Sequence, residues 1–290
     1  ISCYNASMQI LVPLAFGLSG LIKGSFLNVD VIRYNTGRSL KGRSGCMSCS
    51  APLETYMLVP VLSWVLQRRR CAVCGARISW QYPLVELSTG LLFALVGTLS
   101  LPIFHTVLAL VFVACIILIV TYDIRHTIIP NAWVYLASAV ALIYSMSATI
   151  PSAYSVSNIV VTLLSGPIIA SPFLFLWFVT RGRGIGLGDV KLALGAGWLL
   201  GAPGGFFAAA LSFVIGAVVS VFILLPLPYY ARTFACWGIL KNPSAKAFTM
   251  KSEVPFGPFL AAGTLIIWFL MIFGVNIGEF LVPDFPPHLL

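Results

Sequence analysis

Residues 104–122 read FHTVLALVFVACIILIVTY and are followed directly by Asp123. The run contains no Asp, Glu, Lys or Arg, and it is close to the roughly 20 apolar residues that a helix needs to cross a bilayer. This stretch therefore predicts a membrane-spanning helix that ends at a carboxylate.

The composition extends this prediction to the whole chain. Of its 290 residues, 59% are hydrophobic and only 9% are charged, too few to cover the surface of a soluble protein of this size. The net charge of +9 favours contact with lipid headgroups. No basic run is interleaved with aromatic residues as in a nucleic-acid groove. We expect a polytopic α-helical protein with membrane lipids, and no nucleic acid, as partners.

About eight stretches are predicted to span the membrane. The first reads as a retained span, because no basic region precedes it and no small-residue cleavage site follows it. The sixth is short and rich in glycine, so it predicts either a half-span beside a water-accessible crevice or a span in thinned membrane. The eight stretches are 8–29, 83–101, 104–122, 131–149, 157–179, 189–202, 205–228 and 256–275.

Basic residues predict the orientation of these spans. All 17 Lys and Arg residues except Lys23 fall on one side of the predicted membrane, and that side is cytoplasmic by the positive-inside rule. Lys23 lies within the first span and is expected to snorkel to the interface. It stands beside Gly20 and Gly24, whose GxxxG spacing would let another helix approach closely.

The long loop at 30–82, between the first two spans, carries two CxxC pairs. CMSC at 46–49 and CAVC at 71–74 have the spacing of a zinc ribbon in which each pair supplies two thiolates. A closed four-thiolate site is structural, and the reducing cytoplasm argues against disulfides. We expect zinc as a cofactor, held by Cys46, Cys49, Cys71 and Cys74.

Two aspartates are the candidate catalytic residues. Asp123 ends the third span and Asp189 begins the sixth, so sidedness puts both at the cytoplasmic face. Two apposed carboxyls share a proton, which would let one activate water while the other polarises a peptide carbonyl. Each aspartate also has a purely structural alternative. Asp123 would be a boundary residue that pairs with Arg125, and Asp189 would be a helix N-cap.

An ordered set of motifs runs along nearly the whole chain. The motifs are GSFLNVDVIR (24–33), the first CxxC pair, VPVLSW (59–64), CAVCGARIS (71–79), YPLVELSTG (82–90), YDIRHTIIPN (122–131), GLGDVKL (186–192) and PFGPFLAAG (255–263). Together they resemble the type IV prepilin peptidases, the leader peptidases and N-methyltransferases of type IV pilus and type II secretion systems.

This resemblance implies functions for particular residues. It assigns the catalytic pair of a membrane aspartyl endopeptidase to Asp123 and Asp189. It implies prepilin or pseudopilin substrates cut on the cytoplasmic side, and methylation of the new N-terminus with S-adenosylmethionine. The motifs also nominate residues that shape the substrate site, namely Pro130, Asn131, Gly186, Gly188 and Lys191.

The resemblance also implies a location and a domain division. The location is the bacterial inner membrane, and the orientation predicted by the basic residues then makes both termini periplasmic. The division is a first transmembrane helix at 1–29, a metal-binding loop domain linked to methyl transfer at 30–82, and a peptidase domain at 83–290.

The chain departs from the family pattern at 53–60. Many members have a DNIP-like sequence there, whereas this chain reads LETYMLVP. No glycine-rich methyl-donor loop is recognisable, so residues that bind S-adenosylmethionine are not assigned. The predicted cytoplasmic face is basic. A basic leader must therefore bind the few acidic residues of that face or lie on anionic lipid headgroups.

Two functions from other classes fit some of these features. A proton- or ion-coupled transporter would use the same two aspartates, although no internal repeat is evident. A redox- or metal-sensing protein would use the CxxC pairs.

Overall fold

The structure is a computed structural model that describes residues 2–36, 42, 44–152, 156–226 and 254–275. Eight α-helices lie in these ranges: α1 Ser2–Arg33, α2 Leu62–Leu66, α3 Gln81–Thr98, α4 Ile103–His126, α5 Asn131–Ser152, α6 Val156–Thr180, α7 Leu187–Val219 and α8 Gly257–Ile272. A 3₁₀ turn at Thr55–Leu58 precedes α2, and a π-helical turn at Ser220–Leu224 extends α7.

The predicted all-helical class is confirmed, because the described residues contain no strand beyond two isolated bridges. Five described helices are long and apolar enough to cross a membrane. They lie at Ile10–Arg33, Ile103–His126, Asn131–Ala148, Val156–Thr180 and Leu187–Leu224. The last covers both the sixth and the seventh predicted spans. The shorter α8 is also apolar.

The chain divides into two compact units, each described separately below. The first unit comprises Ile1–Arg125 and Pro130–Tyr144, and the second comprises His126–Ile129 and Ser145–Leu290.

In the first unit, α1 and α3 cross at very short range. A Cβ atom added to Gly20 would lie 2.7 Å from the Thr89 carbonyl oxygen, and one added to Gly24 would lie 2.7 Å from the Glu86 Cα. Only glycine permits backbones to approach this closely. The predicted close approach of a second helix at the GxxxG pair is therefore confirmed.

A buried amide joins the C-terminal part of α1 to the start of α3. Asn28 has no exposed surface, and its Nδ2 donates to the carbonyls of Gly24, at 3.3 Å, and Tyr82, at 3.2 Å. Its Oδ1 accepts from Gln81 Nε2 at 3.3 Å. A buried amide with this many partners fixes the register of the two helices.

In the second unit, α7 packs against α6 and α8 and is broken at Gly201. Gly201 has φ 71° and ψ 176°, which glycine adopts without strain. A Cβ built on Gly205 would lie 3.2 Å from the Gly197 Cα. Eight residues of continuous helix would separate them by about 12 Å, so the chain reverses here. The predicted separation of two helical segments is present, with the break at Gly201 rather than at 203–204.

The α1–α3 crossing yields a stability prediction. Gly24→Ala should destabilise the protein by roughly 1–3 kcal/mol, because the new methyl group meets backbone that cannot move aside. Gly17→Ala is the matched control in the same helix, where the nearest atom is the Ala94 Cβ at 3.3 Å. Thermal unfolding in detergent measures both. Equal midpoints for the two variants would contradict the close crossing.

Candidate functional site

The four predicted metal ligands lie together. The Sγ atoms of Cys46, Cys49, Cys71 and Cys74 are all within 4.8 Å of one another, and those of Cys46 and Cys74 are 3.8 Å apart. Thiolates arranged tetrahedrally around zinc at about 2.3 Å lie about 3.8 Å from each other. The donor set and its spacing therefore fit a zinc ion.

Each CxxC pair forms a knuckle with the same hydrogen bonds. In the first, the Cys46 N–H donates to the Ala51 carbonyl at 2.9 Å, and in the second the Cys71 N–H donates to the Ala76 carbonyl at 2.8 Å. The fifth residue has positive φ in both, 57° at Ser50 and 71° at Gly75. The two halves are thus two copies of one turn, which orients two thiols from each towards a common centre.

The pKa values of two of these thiols are shifted in opposite directions. Backbone N–H groups of Cys49 and Ser48 stabilise the Cys46 thiolate and lower its pKa to about 6. The Ala76 N–H has the same effect on Cys74, but hydrogen bonds with the three other thiols, together with desolvation, outweigh it and raise the pKa of Cys74 to about 12. A bound metal would replace the thiol protons, because thiolates are the ligands.

Asp123 lies in the first unit, near the end of α4, and only 4% of its surface is exposed. The preceding residue, Tyr122, belongs to an aromatic cluster with Tyr34 and Trp133, whose ring centroids are 4.6–5.5 Å apart. These rings join the chain after α1 to the end of α4 and the start of α5. The cluster fixes the last turn of α4 and, with it, the position of Asp123.

Asp189 lies in the second unit, at the third position of α7, and is 7% exposed. Gly186 is the N-cap, and its backbone N–H donates to Asp189 Oδ2 at 3.2 Å. The alternative in which Asp189 is the N-cap residue is therefore corrected. The N-cap is Gly186, three residues earlier, and the Asp189 carboxylate caps the helix from its first turn. A negative charge here is favoured by the N-terminal end of the helix dipole.

Packing leaves room only for glycine at position 188. A Cβ at this position would lie 2.7 Å from the Ile129 Cβ, so Ile129 lies directly against the start of α7. The positive φ angles nearby are at Arg181, 51°, and Gly182, 75°. The left-handed backbone therefore precedes the GLGD motif, and neither Gly186 nor Gly188 has a positive φ.

The other predicted site residues lie on these segments. Pro130 is buried and accepts the first hydrogen bond of α5, from Val134 N–H at 3.2 Å. Asn131, the first residue of α5, is exposed, and Lys191 in the first turns of α7 is half-buried.

A cavity of about 360 Å³ lies in the first unit, beside the cysteine knuckles. Its lining includes Glu86 of α3 and Trp64 of α2. The unusual stretch at 53–60 contributes three further lining residues, Leu53, Met57 and Leu58. Sequence reasoning did not find this cavity, because its walls come from four separate parts of the chain.

Two further features were missed. Glu86 is 6% exposed, and its Oε2 accepts from the Val61 N–H at 2.7 Å. Arg69 stacks on Trp64 and Trp80, with its Cζ 5.6 and 4.8 Å from the ring centroids. The sequence signal for this stacking was the run of three arginines at 68–70, which lies between Trp64 and Trp80 in the chain.

The fold and these sites define a multi-pass helical membrane protein with a four-cysteine, metal-compatible loop and two buried aspartates. Comparison with known families specifies it further. The Bacterial Peptidase A24 N-terminal domain matches residues 18–99, and the Type IV leader peptidase family matches residues 110–221.

Relatives extend this similarity to most of the chain. A Bacillus subtilis protein named prepilin leader peptidase/N-methyltransferase is 31% identical, covering 91% of this chain and 95% of its own length. One of the same name from Pectobacterium carotovorum is 29% identical, covering 86% and 90%. The Escherichia coli type 4 prepilin-like proteins leader peptide-processing enzyme is 28% identical, covering 92% and 96%. No solved structure matches.

The chain therefore belongs to the type IV leader peptidase family and is an enzyme of that family.

The thiol cluster predicts the metal content of the purified protein. We expect about one zinc per chain, and Cys46→Ser should lose most of it because three thiolates cannot complete the tetrahedral site. Cys115→Ala, at a buried cysteine of α4 outside the cluster, is the control. Elemental analysis after gel filtration checks both. Equal zinc in the two variants would exclude the thiol cluster as the site.

Proposed function

We propose that this enzyme removes the short basic leader from type IV prepilins or pseudopilins at the cytoplasmic face of the membrane. The reaction is hydrolysis by water, with Asp123 and Asp189 as the acid–base pair.

One observation carries this assignment. The family match at residues 110–221 contains only two acidic residues, Asp123 and Asp189, and both are at least nine-tenths buried. Aspartyl hydrolysis needs two carboxyl groups, so this region offers no other pair. The contact between Ile129, which follows Asp123 closely in the chain, and Gly188, the neighbour of Asp189, gives further support.

The proposed chemistry follows from two carboxyls sharing a proton. The ionised member removes a proton from the attacking water, while the protonated member polarises the scissile carbonyl and then protonates the leaving nitrogen. The shared proton belongs to the pair rather than to either residue. In this proposal Pro130, Asn131, Gly186, Gly188 and Lys191 shape the substrate site.

We further propose that the enzyme methylates the new N-terminus, because several relatives are named N-methyltransferases. S-adenosylmethionine, when bound, supplies an electrophilic methyl group. The group that would accept this methyl is the substrate α-amine released by leader cleavage. Zinc in the four-thiolate site would be structural, since it leaves no position for substrate.

The proposed topology has eight spans in the bacterial inner membrane, with both termini periplasmic and the peptidase site cytoplasmic. This proposal is supported by described helices that overlap each predicted stretch, five of them long and apolar enough to span a membrane. The distribution of basic residues supports the orientation. The domain division remains residues 1–29 for the first span, 30–82 for the metal-binding loop and 83–290 for the peptidase.

Substitution of either aspartate tests the peptidase proposal. Asp123→Asn and Asp189→Asn should each lower leader cleavage at least about a thousandfold, because Asn keeps the size but removes the acid. Asp30→Asn, at a half-buried aspartate of α1, is the control and should cleave normally. The readout is the mass of a prepilin substrate incubated with enzyme in lipid nanodiscs.

Cleavage by either of the first two variants at the rate of wild type would refute the aspartyl mechanism. Proton flux in proteoliposomes that is lost with either aspartate, in a protein that cuts no leader, would establish the transporter instead.

A further inference from the structure

The cavity in the first unit has the size and chemistry of a small-molecule site. Its volume of about 360 Å³ falls within the range of roughly 300–1,000 Å³ that such sites occupy. Its floor is formed by α1 and α3, which the glycine crossing holds together, and its walls are formed by the cysteine knuckles and the stretch around α2.

Charges of both signs line this cavity. Glu86 is its carboxylate, and Arg33, Arg77 and Arg125 supply guanidinium groups from three separate segments. The remaining wall is largely apolar, including Met57 and Leu58. A ligand that fits must therefore carry positive and negative groups together with a flat or apolar portion.

The carboxylate of Glu86 is held in place by strained backbone. Its acceptor bond from the Val61 N–H, at 2.7 Å, occurs where Val61 has φ 59° and ψ −50°. A β-branched residue avoids positive φ, and such strain persists where the surroundings impose it, commonly at binding sites. Leu58 and Ser63, which lie before and after Val61 in the chain, both line the cavity.

Trp64 adds an aromatic side chain to the same wall. Its ring is fixed by Trp80, with centroids 4.3 Å apart, and by the guanidinium of Arg69, whose Cζ is 5.6 Å from the Trp64 ring centroid. A ring held in this way is a rigid surface against which the flat portion of a ligand can pack.

We propose that this cavity binds S-adenosylmethionine, with Glu86 facing its cationic part and the arginines facing its carboxylate. The molecule combines a sulfonium and an ammonium with a carboxylate and a flat adenine ring, which match the carboxylate, the guanidinium groups and the apolar and aromatic wall of the cavity. This inference rests on the proposed methyl transfer, to which it adds the residues of the donor site. The unusual 53–60 stretch then forms part of the donor-binding wall through Met57 and Leu58.

Donor binding, measured apart from activity, tests this site. The full chain in nanodiscs is titrated with radiolabelled S-adenosylmethionine, without any prepilin. Wild type should bind, and Glu86→Gln should bind at least about tenfold more weakly, because the amide keeps the Val61 hydrogen bond but loses the charge. Met57→Trp should weaken binding similarly by filling the cavity.

Two matched variants control for general effects. Glu54→Gln removes an exposed loop carboxylate that does not line the cavity, and Leu66→Trp adds the same ring at an exposed position of α2. Both should bind within about twofold of wild type. The thermal unfolding midpoint checks that every variant is folded. If Glu86→Gln is not folded, the binding measured for Met57→Trp decides the outcome.

Wild-type affinity in both Glu86→Gln and Met57→Trp would overturn the site, while methylation by the wild type would still support the proposed function. A wild type that cuts leader but binds no donor would overturn both the site and the methylation half of that function. Loss of bound anionic lipid from the two variants, with donor affinity unchanged, would assign the cavity to a lipid headgroup instead.

Discussion

The close crossing of α1 and α3 is the constraint on which the first unit depends. Gly20 and Gly24 bring the two backbones into direct contact beside Glu86 and Thr89. Only at this separation can Asn28 of α1 bond the Tyr82 carbonyl of α3. In lipid there is little hydrophobic drive between helices, so small residues and interhelical hydrogen bonds supply the association.

The same crossing positions the loop. Glu86 projects from α3 to hold the Val61 turn, which carries Trp64 and the wall of the cavity. The two cysteine knuckles close the opposite side and offer a metal site that would stiffen a loop too small for a large core of its own. The cysteine knuckles, the Val61 turn and the cavity thus form one connected assembly at the ends of α1 and α3.

Much of this arrangement could be predicted from the sequence. Uncharged runs such as 104–122 predict helices because the bilayer requires backbone hydrogen bonds to be satisfied internally. The CxxC spacing predicts the thiol cluster because a two-residue interval forms the same knuckle twice. The GxxxG pair predicts the α1–α3 contact for a steric reason that is visible in the sequence.

Other features could not be predicted, because they depend on contacts between distant segments. The strained Val61 and its partner Glu86 are 25 residues apart, and neither has a local signal. Gly188 reads as flexible in sequence but is required by the nearby Ile129. Arg69 reads as a solvated charge, and only the packed loop brings it onto Trp64 and Trp80.

The pH dependence of single-turnover leader cleavage by the wild-type enzyme tests the coupled pair of aspartates most directly. Measured in nanodiscs from about pH 4 to about pH 9, the rate should follow a bell-shaped curve, because one carboxyl must be ionised while the other keeps its proton. A rate that rises with pH to a plateau and stays there would show that no protonated carboxyl is needed, and would contradict the two-aspartate mechanism.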